Sequence, residues 1–165
     1  MAEWKYLADR FTSSLKFAFL HEDFTYFFNQ DQPENRSEGS SDRFIGKYDI
    51  TYFIRDEILI KGGLELENAN GTGSSLEDAE RTDFTAYGLF QHRPVERFTY
   101  NLSLRAGTST AYSIPVIFSV DGRFDLSGSF ALKAAYSSNY RLPTFNDLFW
   151  EPGGNPDLEP ETSRS

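Results

Sequence analysis

The sequence predicts an all-β protein, an antiparallel up-and-down meander of about seven to eight strands. Three observations predict it. Apolar and polar residues alternate with a period of two along successive segments. The 165-residue chain is rich in aromatics yet hydrophilic, with 16 Phe and 9 Tyr but only 39% hydrophobic residues, a balance common in β-proteins. The connections between segments alternate between long and short.

In chain order, Leu15, Phe17 and Phe19 alternate with Ser14, Lys16 and Ala18, and the pattern loses register at His21-Glu22-Asp23 before Phe24-Thr25-Tyr26-Phe27-Phe28. This reads as one long, bulged strand. Tyr48, Ile50 and Tyr52 oppose Lys47, Asp49 and Thr51, and Ile58, Ile60, Leu64 and Leu66 oppose Glu57, Lys61 and Glu65. The segment Thr82 to Gln91 is untidy, with Phe84, Tyr87, Leu89 and Phe90 on both faces, and is placed as a strand by its neighbours. Three cleaner segments follow. Phe98, Tyr100, Leu102 and Leu104 alternate with Thr99, Asn101, Ser103 and Arg105; Val116, Phe118, Val120, Phe124 and Leu126 with Ser119, Asp121, Arg123 and Asp125; Phe130, Leu132, Ala134, Tyr136 and Tyr140 with Lys133, Ser137, Asn139 and Arg141.

Asn29 to Asp42, Glu67 to Arg81 and Pro143 to Glu161 read as long connections and Ala106 to Ser113 as an intermediate one, while Arg55-Asp56, His92 to Glu96 and Ser127-Gly128 are short. In a meander, alternate connections emerge at opposite ends, so the long ones gather at one end and the tight turns at the other. Outer-membrane barrels have that asymmetry. Alternation by itself suits any half-buried antiparallel sheet, so a soluble sandwich or lipocalin-like barrel stays open on pattern alone.

Composition excludes several function classes. Sixteen Lys and Arg against 25 Asp and Glu give a net charge of −9, which repels a phosphate backbone and argues against a nucleic-acid partner. With no cysteine, there is no disulfide, thiolate metal site or cysteine nucleophile. No apolar run approaches the roughly 18 residues of a spanning helix, and Met1-Ala2-Glu3-Trp4-Lys5 lacks the apolar stretch of a signal peptide. Transmembrane strands, at about 9–11 alternating residues, leave no such trace. His21 and His92 are the only histidines and have no partner at metal-ligand spacing, so both read as surface or turn residues. No nucleophile elbow, P-loop, dinucleotide fingerprint or Ser-X-X-Lys motif occurs, and Gly71-Thr72-Gly73 reads as a flexible polar loop. Catalytic residues, metals and cofactors are not expected.

The C-terminal stretch reads Tyr140-Arg141-Leu142-Pro143-Thr144-Phe145-Asn146-Asp147-Leu148-Phe149-Trp150, then Gly153-Gly154-Asn155-Pro156-Asp157-Leu158-Glu159-Pro160-Glu161-Thr162-Ser163. It resembles a barrel signature of TonB-dependent receptors: a strand ending in aromatic-Arg-X-Pro-Thr-Phe-X-Asp/Glu-Leu, then a Gly-Asn-Pro-Asp-Leu-X-Pro-Glu turn into the next strand. Both halves are present, in order. Asp147, Asp157, Glu159 and Glu161 are read as a turn network with Asx caps rather than as paired catalytic carboxylates or a cation site.

The resemblance implies that residues 1–165 are an internal part of a transmembrane barrel, which in such transporters has 22 strands and a plugged lumen. It implies a plug domain and closing strands outside this chain, residence in the Gram-negative outer membrane, and contact with its lipid. The TonB complex would be engaged through the plug. The implied function is binding and energised uptake of a scarce nutrient, a small molecule or oligosaccharide of siderophore, cobalamin or glycan class. Candidate ligand contacts, chosen from loop position, are Tyr112, Trp150 and Asn155. The alternative is a soluble β-sheet interaction module without transport activity. In either case open strand edges are expected to favour self-association of the isolated piece.

Overall fold

The computed structural model describes residues 1–27, 36–73, 76–144, 147–148, 153–155 and 157–165, the side chains of 76–78 excepted. Nine strands form one sheet in sequence order: β1 (Ala2–Ala8), β2 (Phe11–Phe27), β3 (Arg36–Arg55), β4 (Ile58–Gly73), β5 (Leu76–Val95), β6 (Phe98–Ser109), β7 (Ile117–Ser127), β8 (Phe130–Arg141) and β9 (Glu161–Arg164). Every neighbouring pair is antiparallel. The expected meander is present with one strand more than the upper expectation: β1, where Trp4 and Tyr6 alternate with Glu3 and Lys5 over only seven residues, and the polar four-residue β9 were not counted from the sequence.

At one end of the sheet the chain reverses in two residues, at Asp9-Arg10, Asp56-Glu57, Glu96-Arg97 and Gly128-Ser129. That end is tightly knit: the carbonyls of Arg10, Glu57 and Arg97 accept from the N–H groups of Phe53, Arg93 and Asp125, each on the strand beyond the hairpin. Pro94, which has no N–H to donate, falls inside the register shift between His92 and Val95, where the ladder does not need one.

Pairing places every side chain on one of two faces. One carries Phe17, Phe44, Leu64, Phe84, Phe90, Leu102, Leu104, Phe118, Val120, Phe124, Leu132 and Tyr136. The other carries Lys16, Lys47, Asp49, Glu65, Arg105, Asp121, Arg123 and Lys133. The second face is concave, because its side chains reach over an intervening strand: the Tyr87 hydroxyl donates to Asp49 from β5 to β3, and Arg105 on β6 meets Glu65 on β4 at 3.4 Å.

The convex face is banded. Near the tight turns, rings gather as Tyr6 with Phe11 (6.2 Å between centroids) and Phe98 with Tyr100 and Phe124 (5.9 and 6.4 Å). Further along, a second belt holds Phe17 with Phe44 (6.2 Å) and Phe118 with Tyr136 (5.8 Å). Phe124 and Phe118 lie six residues apart on β7, about 20 Å along a strand, which matches in order the roughly 25 Å apolar height of a membrane barrel flanked by aromatic girdles. Above the second belt the same face turns polar, with His21 on Asp42 (2.7 Å), Asn68 on Thr82 (2.9 Å) and Ser40 on Thr72 (3.0 Å).

Four sequence expectations are corrected here. β2 runs from Phe11 to Phe27 against β3 without a register shift, so it is long but not bulged. β3 begins at Arg36, inside the long connection expected over Asn29 to Asp42. Glu67 to Gly73 belongs to β4 and Leu76 to Arg81 to β5, so most of the second expected loop, Gly71-Thr72-Gly73 included, is ladder. β6 likewise runs on to Ser109. The common cause is that strands continue beyond the second belt, where both faces meet water. The two-residue hydrophobic period then vanishes although the backbone ladder does not.

Burial shows what this sheet lacks. Ala69 and Leu148, at 2% and 4% exposed, are the buried apolar side chains among the described residues. The chain presents 11556 Å² of surface, whereas a soluble monomer of 18.9 kDa is expected to present about 8300 Å². The rings that a soluble fold would hide inside are on the outside, as a lipid-facing wall requires.

Candidate ligand-facing wall and mouth

On the concave face β3 to β6 hold a linked set of charges. Lys47 lies 3.8 Å from Asp49 and 3.6 Å from Glu65, and Arg105 closes on the same Glu65 at 3.4 Å. The Tyr87 ring sits beneath the Lys47 ammonium, 5.4 Å from its centroid, and its hydroxyl bonds Asp49. Gly63 makes room for that ring: a Cβ there would lie 2.6 Å from it. Towards the tight turns a recess of about 850 Å³ is lined by Asn101, Asp121, Arg123, Asp125 and Lys133 among others. Asn101 donates to Asp121 at 2.8 Å and Arg123 turns to Asp125 at 2.8 Å. Arg123 and Lys133 are direct cross-strand partners of like charge, a pairing that a sheet tolerates when the charges face a wet or ligand-filled space.

At the opposite end lies the candidate mouth. On β5, Arg81 and Asp83 pair at 3.0 Å with side chains only 15% and 16% exposed. Arg81 also donates to the carbonyl of Pro143 at 3.4 Å. The β5–β6 ladder extends one step past Ser109, with the Thr110 N–H donating to the Thr82 carbonyl and the Thr82 N–H to the Thr110 hydroxyl, both at 3.0 Å. Tyr112, in the connection after β6, is half-buried; that burial pushes its phenol up, and the charge of Arg81 offsets part of the shift.

The described residues of the signature stretch carry part of the turn network expected there: the Asp147 carboxylate joins it, whereas those of Asp157, Glu159 and Glu161 make no side-chain bond among the described residues. The Thr144 N–H donates to Asp147 Oδ2 (2.9 Å) and the Asp147 N–H to the Thr144 hydroxyl (3.2 Å). The first of these bonds, then the Thr144 hydroxyl and the Arg141 charge, hold the Asp147 carboxyl below the usual carboxylate range. The Asn155 N–H donates to the Asp147 carbonyl (2.9 Å), and Asn155 Oδ1 accepts from the Asp157 N–H (3.0 Å).

Of the residues singled out as ligand contacts, Asn155 is therefore joined to Asp147 in one turn, and Tyr112 stands in the field of Arg81. Trp150 lies outside the described residues. The sequence reading missed Arg81 and Asp83, although an Arg-X-Asp spacing puts both side chains on one face of a strand; it assigned Arg81 to a loop. His92 is in the lower aromatic belt, edge-on to Tyr100 and 3.1 Å from its hydroxyl. His21 is bonded to Asp42 and Asp23 on the convex face. Among the described residues no group of three or more His, Cys, Asp and Glu side chains is arranged to hold a metal.

Comparison with known proteins bears on this geometry directly. Over residues 2–165 the chain matches the family model described as TonB dependent receptor-like, beta-barrel. It is 27% identical over 154 residues to the vitamin B12 transporter BtuB of Photobacterium profundum, covering 88% of this chain and 25% of that protein. It is 30% identical over 101 residues to the vitamin B12 transporter BtuB of Vibrio vulnificus, covering 60% of this chain and 16% of that one. The chain thus spans a quarter or less of the length of these relatives. Its fold is that of the siderophore receptor PirA from Pseudomonas aeruginosa, with a TM-score of 0.67 at 13% identity over 97% of this chain and 39% of that one. A banded convex wall, a charged concave wall and a family match across the whole sheet agree: the chain belongs to the TonB-dependent receptor-like β-barrel family, whose members are transport receptors and not enzymes.

Proposed function

We propose that these nine strands are one arc of the barrel of an outer-membrane receptor that binds a scarce small nutrient and admits it through the lumen. The observation that carries this reading is the division of the sheet into a lipid-like apolar face with two aromatic belts and a charged concave face. A barrel of the 22-strand class would close through strands on either side of β1 and β9, and a plug domain elsewhere in the polypeptide would fill the lumen and engage TonB. Two curated relatives named as vitamin B12 transporters put a corrinoid first among the ligands to test; siderophores and oligosaccharides come next. Tyr112, Trp150 and Asn155 are the proposed contacts at the mouth.

Cells producing the full-length receptor, with and without TonB, provide the test. Uptake of radiolabelled cyanocobalamin or of ferric siderophores that requires both the receptor and TonB supports the reading. Uptake of none of the panel, with the protein recovered outside the outer-membrane fraction, would contradict it. Within that assay Tyr112→Ala is expected to weaken binding about tenfold, in line with the roughly 1–3 kcal/mol carried by a well-packed aromatic contact.

A further inference from the structure

The strongest unassigned feature is a contact that a plain meander would not make. Arg81 on β5 bonds the carbonyl of Pro143, a residue 62 positions further on that follows β8. Strands β6 and β7 lie between them in the sheet. A connection leaving β8 reaches β5 only by turning inwards, across the concave face. Arg81 is suited to hold it there, because its stem and head are largely covered and Asp83 neutralises its charge from 3.0 Å, an ion pair in which Nε makes no aligned hydrogen bond, so the aligned bond shown for the guanidinium is the one to Pro143. The start of the connection is stiff as well: Pro143 locks its own backbone, and Thr144 and Asp147 bond each other twice. The inward path also carries Leu148, which is 4% exposed although it belongs to a connection at the rim.

We propose that Arg81 is the positioning residue of the mouth. By binding Pro143 it holds the start of the β8–β9 connection over the concave face and sets where Asp147 and Asn155 stand relative to Tyr112. Asp83 supplies the counter-charge that lets the largely covered guanidinium stay there. The assignment rests on the reading of this end of the sheet as a ligand entrance, but the position of the connection is measurable without any ligand.

The test uses the full-length receptor in lipid vesicles, spin-labelled in pairs, with distances read by double electron–electron resonance. One pair is Thr108→Cys and Gly153→Cys; Thr108 is exposed on β6, and a side chain at 153 meets nothing within 4 Å. A control pair at Asp56→Cys and Gly128→Cys reports the wall at the tight-turn end. Arg81→Met keeps the apolar stem and removes the donors. The proposal expects a narrow Thr108–Gly153 distribution in the parent that broadens and lengthens by several ångströms in Arg81→Met, with the control pair unmoved. Asp83→Asn is expected to give a smaller broadening in the same direction. An Arg81→Met distribution equal to the parent's, or a parent distribution already broad, overturns it. Should Arg81→Met disturb the control pair, Arg81→Gln is read in the same way, and an unmoved Thr108–Gly153 distance there also overturns the proposal. Loss or retention of nutrient uptake does not enter this readout, so failure of the tie and failure of the receptor reading are told apart.

Discussion

Tyr87 and Gly63 show how single residues build the concave wall. The Tyr87 ring lies where a Cβ at residue 63 would be, 2.6 Å away, with its hydroxyl on Asp49 and the Lys47 ammonium above it. Gly63→Ala displaces the outer end of that half-buried ring and loosens the Asp49 bond, so the loss should stay near or below the low end of the ~1–3 kcal/mol that overpacking a closed core costs; urea unfolding from lipid vesicles measures it. Asp147 gives a prediction in pH. Its carboxyl is held below the usual range by Thr144, so its contribution to the loop is present at neutral pH and is lost as pH falls through the depressed folded value. Hydrogen exchange should find the Thr144 amide protected at neutral and mildly acidic pH and unprotected below the usual carboxylate range, while Asp147→Ala is unprotected throughout. Exchange of Thr144 that is independent of pH in the parent, after correction for intrinsic rates, would contradict that assignment.

At the scale of the element, the two faces of a strand should respond differently to the same substitution. Val120 pairs with Leu102 and Tyr136 between the two aromatic belts, so Val120→Arg places a charge in the apolar band and should cost about 2–4 kcal/mol, whereas Thr108→Arg, above the upper belt, should cost about 0–1 kcal/mol. Folding into vesicles monitored by circular dichroism measures both, and equal costs would remove the case for a lipid-facing band. The strands inside the band were legible in the sequence because Phe98 to Arg105 and Phe118 to Asp125 carry apolar side chains on one face and polar ones on the other. Arg36 to Asp42, Glu67 to Gly73 and Leu76 to Arg81 were not, because beyond the upper belt both sides are wet and alternation carries no information. The Arg81–Asp83 pair was missed because the expected strand began at Thr82, which left Arg81 in the loop and split the pair. The predicted bulge at His21-Glu22-Asp23 was a change of environment rather than of register: the convex face passes there from Phe19 to a polar ladder of His21, Asp23 and Asp42.

For the whole molecule, the missing core is the informative fact. Only Ala69 and Leu148 are buried apolar residues among those described, and the surface exceeds that of a soluble monomer by roughly 3000 Å². Such a sheet fits the proposed arc of a larger barrel, with lipid against its convex side. The C-terminal signature made this legible, since alternation alone equally suits a soluble sandwich, and only the paired Pro-Thr-Phe and Asn-Pro-Asp-Leu runs separated the two readings. Their structural interpretation holds for Asp147, whose carboxylate accepts from the Thr144 N–H, and Asn155 caps the Asp157 N–H, but the carboxylates of Asp157, Glu159 and Glu161 take no part among the described residues. The most direct test of the two-faced wall is a spin-label scan along Phe118 to Leu126 in the full-length receptor reconstituted in bilayers. Residues 118, 120, 122, 124 and 126 should be accessible to dissolved oxygen, and 119, 121, 123 and 125 shielded from it and open to an aqueous or protein-lined lumen. An absent or reversed alternation would contradict the barrel assignment.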